Sequence, residues 1–227
     1  MMAIDDDKQA QRVRDQVREK AKISDATVGG GTIFTESVLV VNQKAKLIEL
    51  SNEYKVFDVN GTQIGAVRQV GQSKWKKVLR ALFRFDMIMR HELHIVDNSG
   101  VTQLSVIKPR AWIRPKLLVN DRAGQTIGSI AVQLRFGKVR FNLLDAGGAQ
   151  IGTLNAENFR AWNFTMADAA GAEVAQITKT WEGLGKAMFT NADNYVVKIN
   201  SALAEPLRSI AIASALGIDL ILKQAKG

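Results

Sequence analysis

The sequence predicts a mainly β fold, in which antiparallel hairpins close into a barrel around an apolar C-terminal helix. Three observations carry that expectation. An Asp-x-x-Gly segment flanked by alternating apolar residues recurs five times between Tyr54 and Ile177. Period-two patterning starts abruptly at Ile33, after a polar and charged beginning. The run Pro206–Lys223 is apolar on every side, with nothing more polar than serine from Ser209 to Ile218.

Residues 1–32 are dense in mixed charge and end in Gly29-Gly30-Gly31. Val13 and Val17 stand at helical spacing, but two valines make no core face. The composition predicts a flexible charged arm over 1–32 with the triglycine as its linker, then a barrel domain over 33–227. The first residues lack the apolar stretch of a secretory signal.

The repeated segments are YKVFDVNGTQIGAV, LHIVDNSGVTQLSV, KLLVNDRAGQTIGSI, FNLLDAGGAQIGTL and FTMADAAGAEVAQI. Their aspartates are Asp58, Asp97, Asp121, Asp145 and Asp168, and their glycines Gly61, Gly100, Gly124, Gly148 and Gly171. Aspartate accepts a local backbone N–H bond and glycine supplies positive φ, so each segment reads as a β-hairpin. A second glycine follows four residues later in three copies (Gly65, Gly128, Gly152), which predicts a bend or bulge in the returning strand. Extra strands near Ser37–Val41 and Ala45–Leu50 bring the total to about a dozen, and closure removes their edges.

Pro206 suits a first helical turn, where its missing N–H has no partner to lose. A helix apolar all round is buried in a core or in a membrane. A membrane span needs about 20 apolar residues, and this run is interrupted by Arg208 and Asp219. The small residues Ala211, Ala213, Ser214, Ala215 and Gly217 let other backbone approach closely. The barrel interior is the expected place. A lumen filled in this way leaves function to the outer wall, the rim and the inserted loops.

Four stretches resemble the phospholipid scramblases: RHELHIVDNSGVTQLSVIKP (90–109), TIGSIAVQ (126–133), KTWEGLGKAMFTNADNYVVKI (179–199) and ALGIDLILK (215–223). The likeness runs from about residue 36 to the end, and its most specific piece is Trp181–Gly183 followed by Ala192–Tyr195. It implies a twelve-stranded antiparallel barrel enclosing a hydrophobic C-terminal helix, similar to the tubby C-terminal domain and the plant LURP-one-related proteins. The eukaryotic scramblases carry an acidic calcium-binding segment that begins in the ADN motif. Here Asp193 is kept, but VVKINSALAEPL follows, with Lys198 and only Glu205 as a later acid. Calcium prefers six to eight oxygen ligands, so calcium control is not expected. The palmitoylated cysteine run that follows the matching proline in those proteins is replaced after Pro109 by RAWIRPK (110–116).

Composition narrows the chemistry. Thirty-one Lys and Arg against 22 Asp and Glu leave a net charge of +9, which favours anionic partners, phospholipid headgroups or nucleic acid. The absence of cysteine excludes disulfides, thiolate metal sites, thiol nucleophiles and palmitoylation. No GxSxG elbow, GxxxxGK[ST] loop or HExxH helix occurs. His91 and His94 are three apart in one expected strand and so on opposite faces, while a metal site needs three or four converging ligands. The sequence supports neither an enzyme nor a metal or cofactor site.

The candidate site is the insertion between the first two hairpins. At 100° per residue Trp75, Val78, Leu79, Leu82, Phe83 and Phe85 gather on one helical face, with Lys74, Lys76, Lys77, Arg80 and Arg84 on the other. A basic, aromatic amphipathic helix of this kind can lie in the headgroup plane of an anionic bilayer. The same periodicity also suits a cap packed on the barrel. Arg110, Trp112, Arg114 and Lys116 form a second basic–aromatic cluster. Two function classes fit. One is a scramblase-like lipid-binding protein, cytoplasmic and peripheral on the inner face of the plasma membrane, that recognises anionic phospholipid through both clusters. The other is a soluble interaction or nucleic-acid-binding module of the same fold without lipid transport.

Overall fold

The five Asp-x-x-Gly segments fold into five hairpin turns of one geometry. In the first, the Asp58 amide donates to the Thr62 carbonyl (2.9 Å) and the Gly61 amide to the Asp58 carbonyl (3.1 Å). Asp58 Oδ1 accepts the Thr62 amide at 2.8 Å. The same three bonds recur at Asp97, Asp121, Asp145 and Asp168. The turn glycines have φ between 78° and 87°, the left-handed region that a side chain disfavours. The computed structural model describes residues 29–43, 53–70, 91–109, 116–135, 138–158, 163–179, 194–200 and 202–217.

Past each turn the returning strand carries one extra residue, always three positions after the turn glycine. These are Ile64, Gln103, Ile127, Ile151 and Val174, each falling in a register shift. The residue after the bulge is the second glycine of the repeat in three copies. A Cβ on Gly65 would overlap Ile33 Cδ1, and one on Gly128 would overlap Ile210 Cδ1. One on Gly152 would lie 2.6 Å from the Ala167 carbonyl oxygen and 3.2 Å from Leu207 Cδ1. The expected bulges are present, and their glycines make room for side chains that fill the lumen.

Twelve strands result: β1 (Val38–Gln43), β2 (Glu53–Phe57), β3 (Gln63–Val70), β4 (His91–Asp97), β5 (Thr102–Lys108) and β6 (Lys116–Asn120), then β7 (Thr126–Arg135), β8 (Lys138–Asp145), β9 (Gln150–Asn158), β10 (Asn163–Asp168), β11 (Glu173–Lys179) and β12 (Asn194–Ile199). Each pairs antiparallel with its neighbours in sequence, and β12 returns to β1 with Val40 opposite Val196. The sheet is a closed barrel. Of the two extra strands expected, the first is β1, whereas Ala45–Leu50 lies outside the described residues.

The interior is lined by Leu39, Val67, Ile95, Val106, Val119, Phe141, Phe164 and Val197, all essentially inaccessible. Helix α1 (Leu207–Leu216) fills it, and Ile210, Ala211, Ile212, Ala213 and Ala215 are completely buried. Pro206 is its N-cap residue, and the run beyond Gly217 lies outside the described residues. The Ser214 hydroxyl, buried in this apolar setting, donates to the Ile210 carbonyl at 2.7 Å, which satisfies it within the helix.

The triglycine, expected as a linker, is fastened to the barrel. The Gly30 amide donates to Asp58 Oδ2 (3.0 Å) and the Gly31 amide to Glu36 Oε1 (2.6 Å). Both carboxylates are buried, which explains why each needs these partners.

Candidate functional site at one end of the barrel

A barrel built from sequential hairpins sorts its connections into two sets. The five Asp-x-x-Gly turns all lie at one end. The other six connections, 44–52, 71–90, 109–115, 136–137, 159–162 and 180–193, all start and finish at the opposite rim. Helix α1 runs between the ends. Leu207 sits by Gly152 near the turns, while Gly217 lies near the rim, where an added Cβ would stand 3.8 Å from Val106 Cγ1 and 3.9 Å from Leu93 Cδ1.

Lys116 is the described member of the predicted set. It is the exposed first residue of β6, opposite Ala131 of β7. Lys74, Trp75, Lys76, Lys77, Arg80 and Arg84, together with Arg110, Trp112 and Arg114, lie outside the described residues. Their anchor points are fixed nonetheless. The 71–90 segment leaves at Val70 and re-enters at His91; the next insertion leaves at Lys108 and re-enters at Lys116. Because β3, β4, β5 and β6 are consecutive in the wall, the two predicted clusters hang from neighbouring positions on one rim.

The sorting also divides charge. The six rim connections hold twelve Lys and Arg and four Asp and Glu, an excess of eight against a whole-chain net charge of +9. The five turns (58–62, 97–101, 121–125, 145–149 and 168–172) hold five aspartates and one basic residue, Arg122. All four tryptophans, Trp75, Trp112, Trp162 and Trp181, belong to rim connections. Those connections make up about a quarter of the chain. Sequence reasoning passed over Arg160 and Trp162, which repeat the Arg-Ala-Trp of 110–112. The available signal was parity: what does not belong to a turn belongs to the rim.

Among the described residues no group of three or more His, Cys, Asp or Glu could hold a metal ion. His91 Nδ1 lies 3.2 Å from the Gln69 side-chain amide. His94 Nε2 lies 2.8 Å from Glu92 Oε1, and its Nδ1 is 3.3 Å from Thr102 Oγ1. Each histidine is thus engaged by residues of its own or an adjacent strand. Asp193, the acid retained from the calcium segment, lies outside the described residues. Among the described residues no helix is long and apolar enough to cross a membrane.

With its lumen filled by α1, the barrel presents its ends and outer wall as surface. The Scramblase family model matches residues 25–222, and the chain belongs to that family. It is similar to altered inheritance rate of mitochondria protein 25 of Saccharomyces cerevisiae, 23% identical over 234 aligned positions covering 83% of this chain and 71% of the relative. It is also similar to a phospholipid scramblase family protein of Schizosaccharomyces pombe, 20% identical over 186 positions covering 76% of this chain and 48% of that one. The chain thus spans about half the length of the second relative. No solved structure matches it significantly.

Proposed function

We propose that this chain is a scramblase-like phospholipid-binding protein, acting at a cytosolic membrane face and gripping anionic lipid through the 74–84 helix and the 110–116 loop. What supports this reading is that the strands flanking both basic–aromatic insertions end at the same rim, in a member of the scramblase family. Each basic residue near an anionic surface contributes about 1 kcal/mol, and tryptophan favours the headgroup region. The chemistry on offer is binding, not bond-making. Movement of lipid between leaflets, free of calcium control, completes the proposal. With α1 occupying the lumen, lipid would pass through bilayer disturbed beside the rim instead of through the barrel.

Two measurements test this. Flotation with phosphatidylserine-containing vesicles should retain the protein, and neutral phosphatidylcholine vesicles should not. Reconstituted protein should accelerate the loss of fluorescent lipid to an outer-leaflet quencher, equally with calcium and with a chelator. Absence from anionic vesicles together with a gel shift of DNA or RNA would replace this reading with the nucleic-acid module. The name of the Saccharomyces relative refers to mitochondria, so vesicles of mitochondrial lipid composition join those of plasma-membrane composition in the test.

A further inference from the structure

We infer that an apolar patch on the outer wall of β12, β1 and β2 is a docking site for this chain's own N-terminal segment, residues 1–28. The inference is independent of the lipid-binding reading. It starts from a second apolar cluster, separate from the lumen: Val38, Val40, Phe57 and Val196, with Val59 beside them. Leu39, Val41, Val56 and Val197 belong to the lumen, so alternation along each strand puts these four on the outside. Val40 stands opposite both Phe57 and Val196, which makes one apolar row across three strands.

An outward side chain on a bare sheet keeps one side in solvent. Ile107, Leu118 and Leu144 point outward in this way from β5, β6 and β8, and they are only half-buried. Val40 and Val196 are instead 1% exposed and Phe57 4%, within a single copy of the chain. Among the described residues, Val59 is the half-buried apolar side chain packed on them. Neighbours in the sheet do not seal such a row, so its cover comes from chain beyond the described residues.

The point of entry selects the segment. The Gly30 amide is held by Asp58, the residue that follows Phe57. A Cβ on Gly29 would stand 2.4 Å from Asn60 Nδ2. Residues 1–28 therefore join the barrel beside Phe57 and Val59, whereas connections 44–52 and 180–193 join it at the opposite rim. The apolar residues of the segment also fit. Ala10, Val13, Val17 and Ala21 recur at helical spacing, a stripe about 16 Å long if helical. The row from Val196 through Val40 to Phe57 is about 10 Å across. A stripe too narrow for a core thus suits a patch one row deep. Residues 22–28 can span about 20 Å, enough to lay it there.

Two measurements on the full chain test the docking. Hydroxyl-radical footprinting reads Phe57 on the patch and Phe164 in the lumen, both buried. Val13→Asp with Val17→Asp should raise oxidation of Phe57 several-fold and leave Phe164 protected. Phe57 still protected in a folded variant would overturn the inference. If Phe164 also becomes reactive, the variant has unfolded and the second measurement decides. In that one a photoreactive benzoylphenylalanine replaces Thr178, a half-buried residue opposite Val196. Mass spectrometry should find its cross-links within residues 8–23 of the same chain. Cross-links to 44–52, to 180–193 or to a second copy, with none to the N-terminal segment, would overturn the assignment.

Discussion

Arg208 donates through Nη2 to the main-chain carbonyl of Glu36, 3.2 Å away and 172 residues earlier in the chain. Its Nη1 reaches the Asn200 carbonyl at 3.1 Å, and its Nε donates to the carbonyl of Phe34. One guanidinium therefore ties the first turn of α1 to the chain entering β1 and the chain leaving β12. Read in the sequence, this arginine merely interrupts an apolar run. In the fold it pins the helix into the turn end of the barrel.

Arg208→Met should keep the volume of the side chain and leave the carbonyls of buried Glu36, half-buried Phe34 and exposed Asn200 without these donors. Each such loss costs about 1–3 kcal/mol and the losses are not fully additive, so a destabilisation of about 2–5 kcal/mol is expected. For a chain of this size that lowers Tm by roughly 5–15 °C, measurable by circular dichroism. Arg208→Lys should fall between, because it keeps the charge and loses the planar fork. An unchanged Tm would show that the pin does no holding.

The bulge glycines make a second test. At Gly128 a Cβ would meet both Ile210 Cδ1 and the Leu144 carbonyl oxygen, one of which is backbone and cannot swing aside. Gly128→Ala should cost about 1–3 kcal/mol by overpacking. Adding Ile210→Val should recover part of that loss, since the two sites share one contact. Additive losses in the double variant would mean that Gly128 is required for its strand geometry alone.

Ala213 is completely buried in the middle of α1. Ala213→Lys should therefore be among the most damaging single changes, because an unpaired buried charge costs several kcal/mol. Removal of residues 206–227 should leave an insoluble or unfolded chain. A soluble truncation that unfolds cooperatively would show that the barrel stands without its plug.

Asp97 offers a pH test. The Ser99 hydroxyl leads in holding its carboxyl below the usual range, outweighing the loss of hydration, with help from the Val101 amide, the Gln103 side chain and the Ser99 amide. These groups donate at 2.7, 3.0, 2.6 and 2.9 Å. A depressed folded pKa contributes stability above the pH where an unfolded aspartate ionises, and that contribution fades as pH falls through the lower folded value. Carbon-detected titration should find the Asp97 midpoint below that of an aspartate in a peptide. Ser99→Ala should bring it back up, and a midpoint unmoved by that change would refute the assigned cause.

The features legible in the sequence were those written in local code. Asp-x-x-Gly names a turn because aspartate and glycine act within five residues, and five repetitions spelled out the hairpins. The bulges were legible as Gly65, Gly128 and Gly152, although the partners that make glycine necessary, Ile33, Ile210 and Leu207, lie far away in sequence. Long-range polar bonds were not legible. Nothing near Gly30 announces Asp58, and nothing near Arg208 announces Phe34. Helical periodicity proposes the candidate residues at 74–84, which lie outside the described residues. Their common end with 110–116 and 159–162 needed the strand count, because only alternation up and down the wall assigns a connection to its rim.

If the 74–85 insertion forms the two-faced helix that its periodicity predicts, its variants should separate charge from apolar contact. Replacing Lys76, Lys77, Arg80 and Arg84 with glutamine should remove roughly 1 kcal/mol of affinity for anionic vesicles per residue. That loss should shrink as salt rises, since the screening length falls to about 8 Å near physiological ionic strength. Trp75→Ala should weaken binding at every salt concentration, because it removes apolar area and no charge. The glutamine variant should keep its Tm, as solvated surface charges contribute little to stability. Vesicle flotation across a salt series reads the first two effects, and thermal melts read the third. If Trp75→Ala lowers Tm by many degrees and leaves flotation unchanged, the insertion is a cap on the barrel. Lipid binding would then fall to Arg110, Trp112, Arg114 and Lys116 on the neighbouring connection.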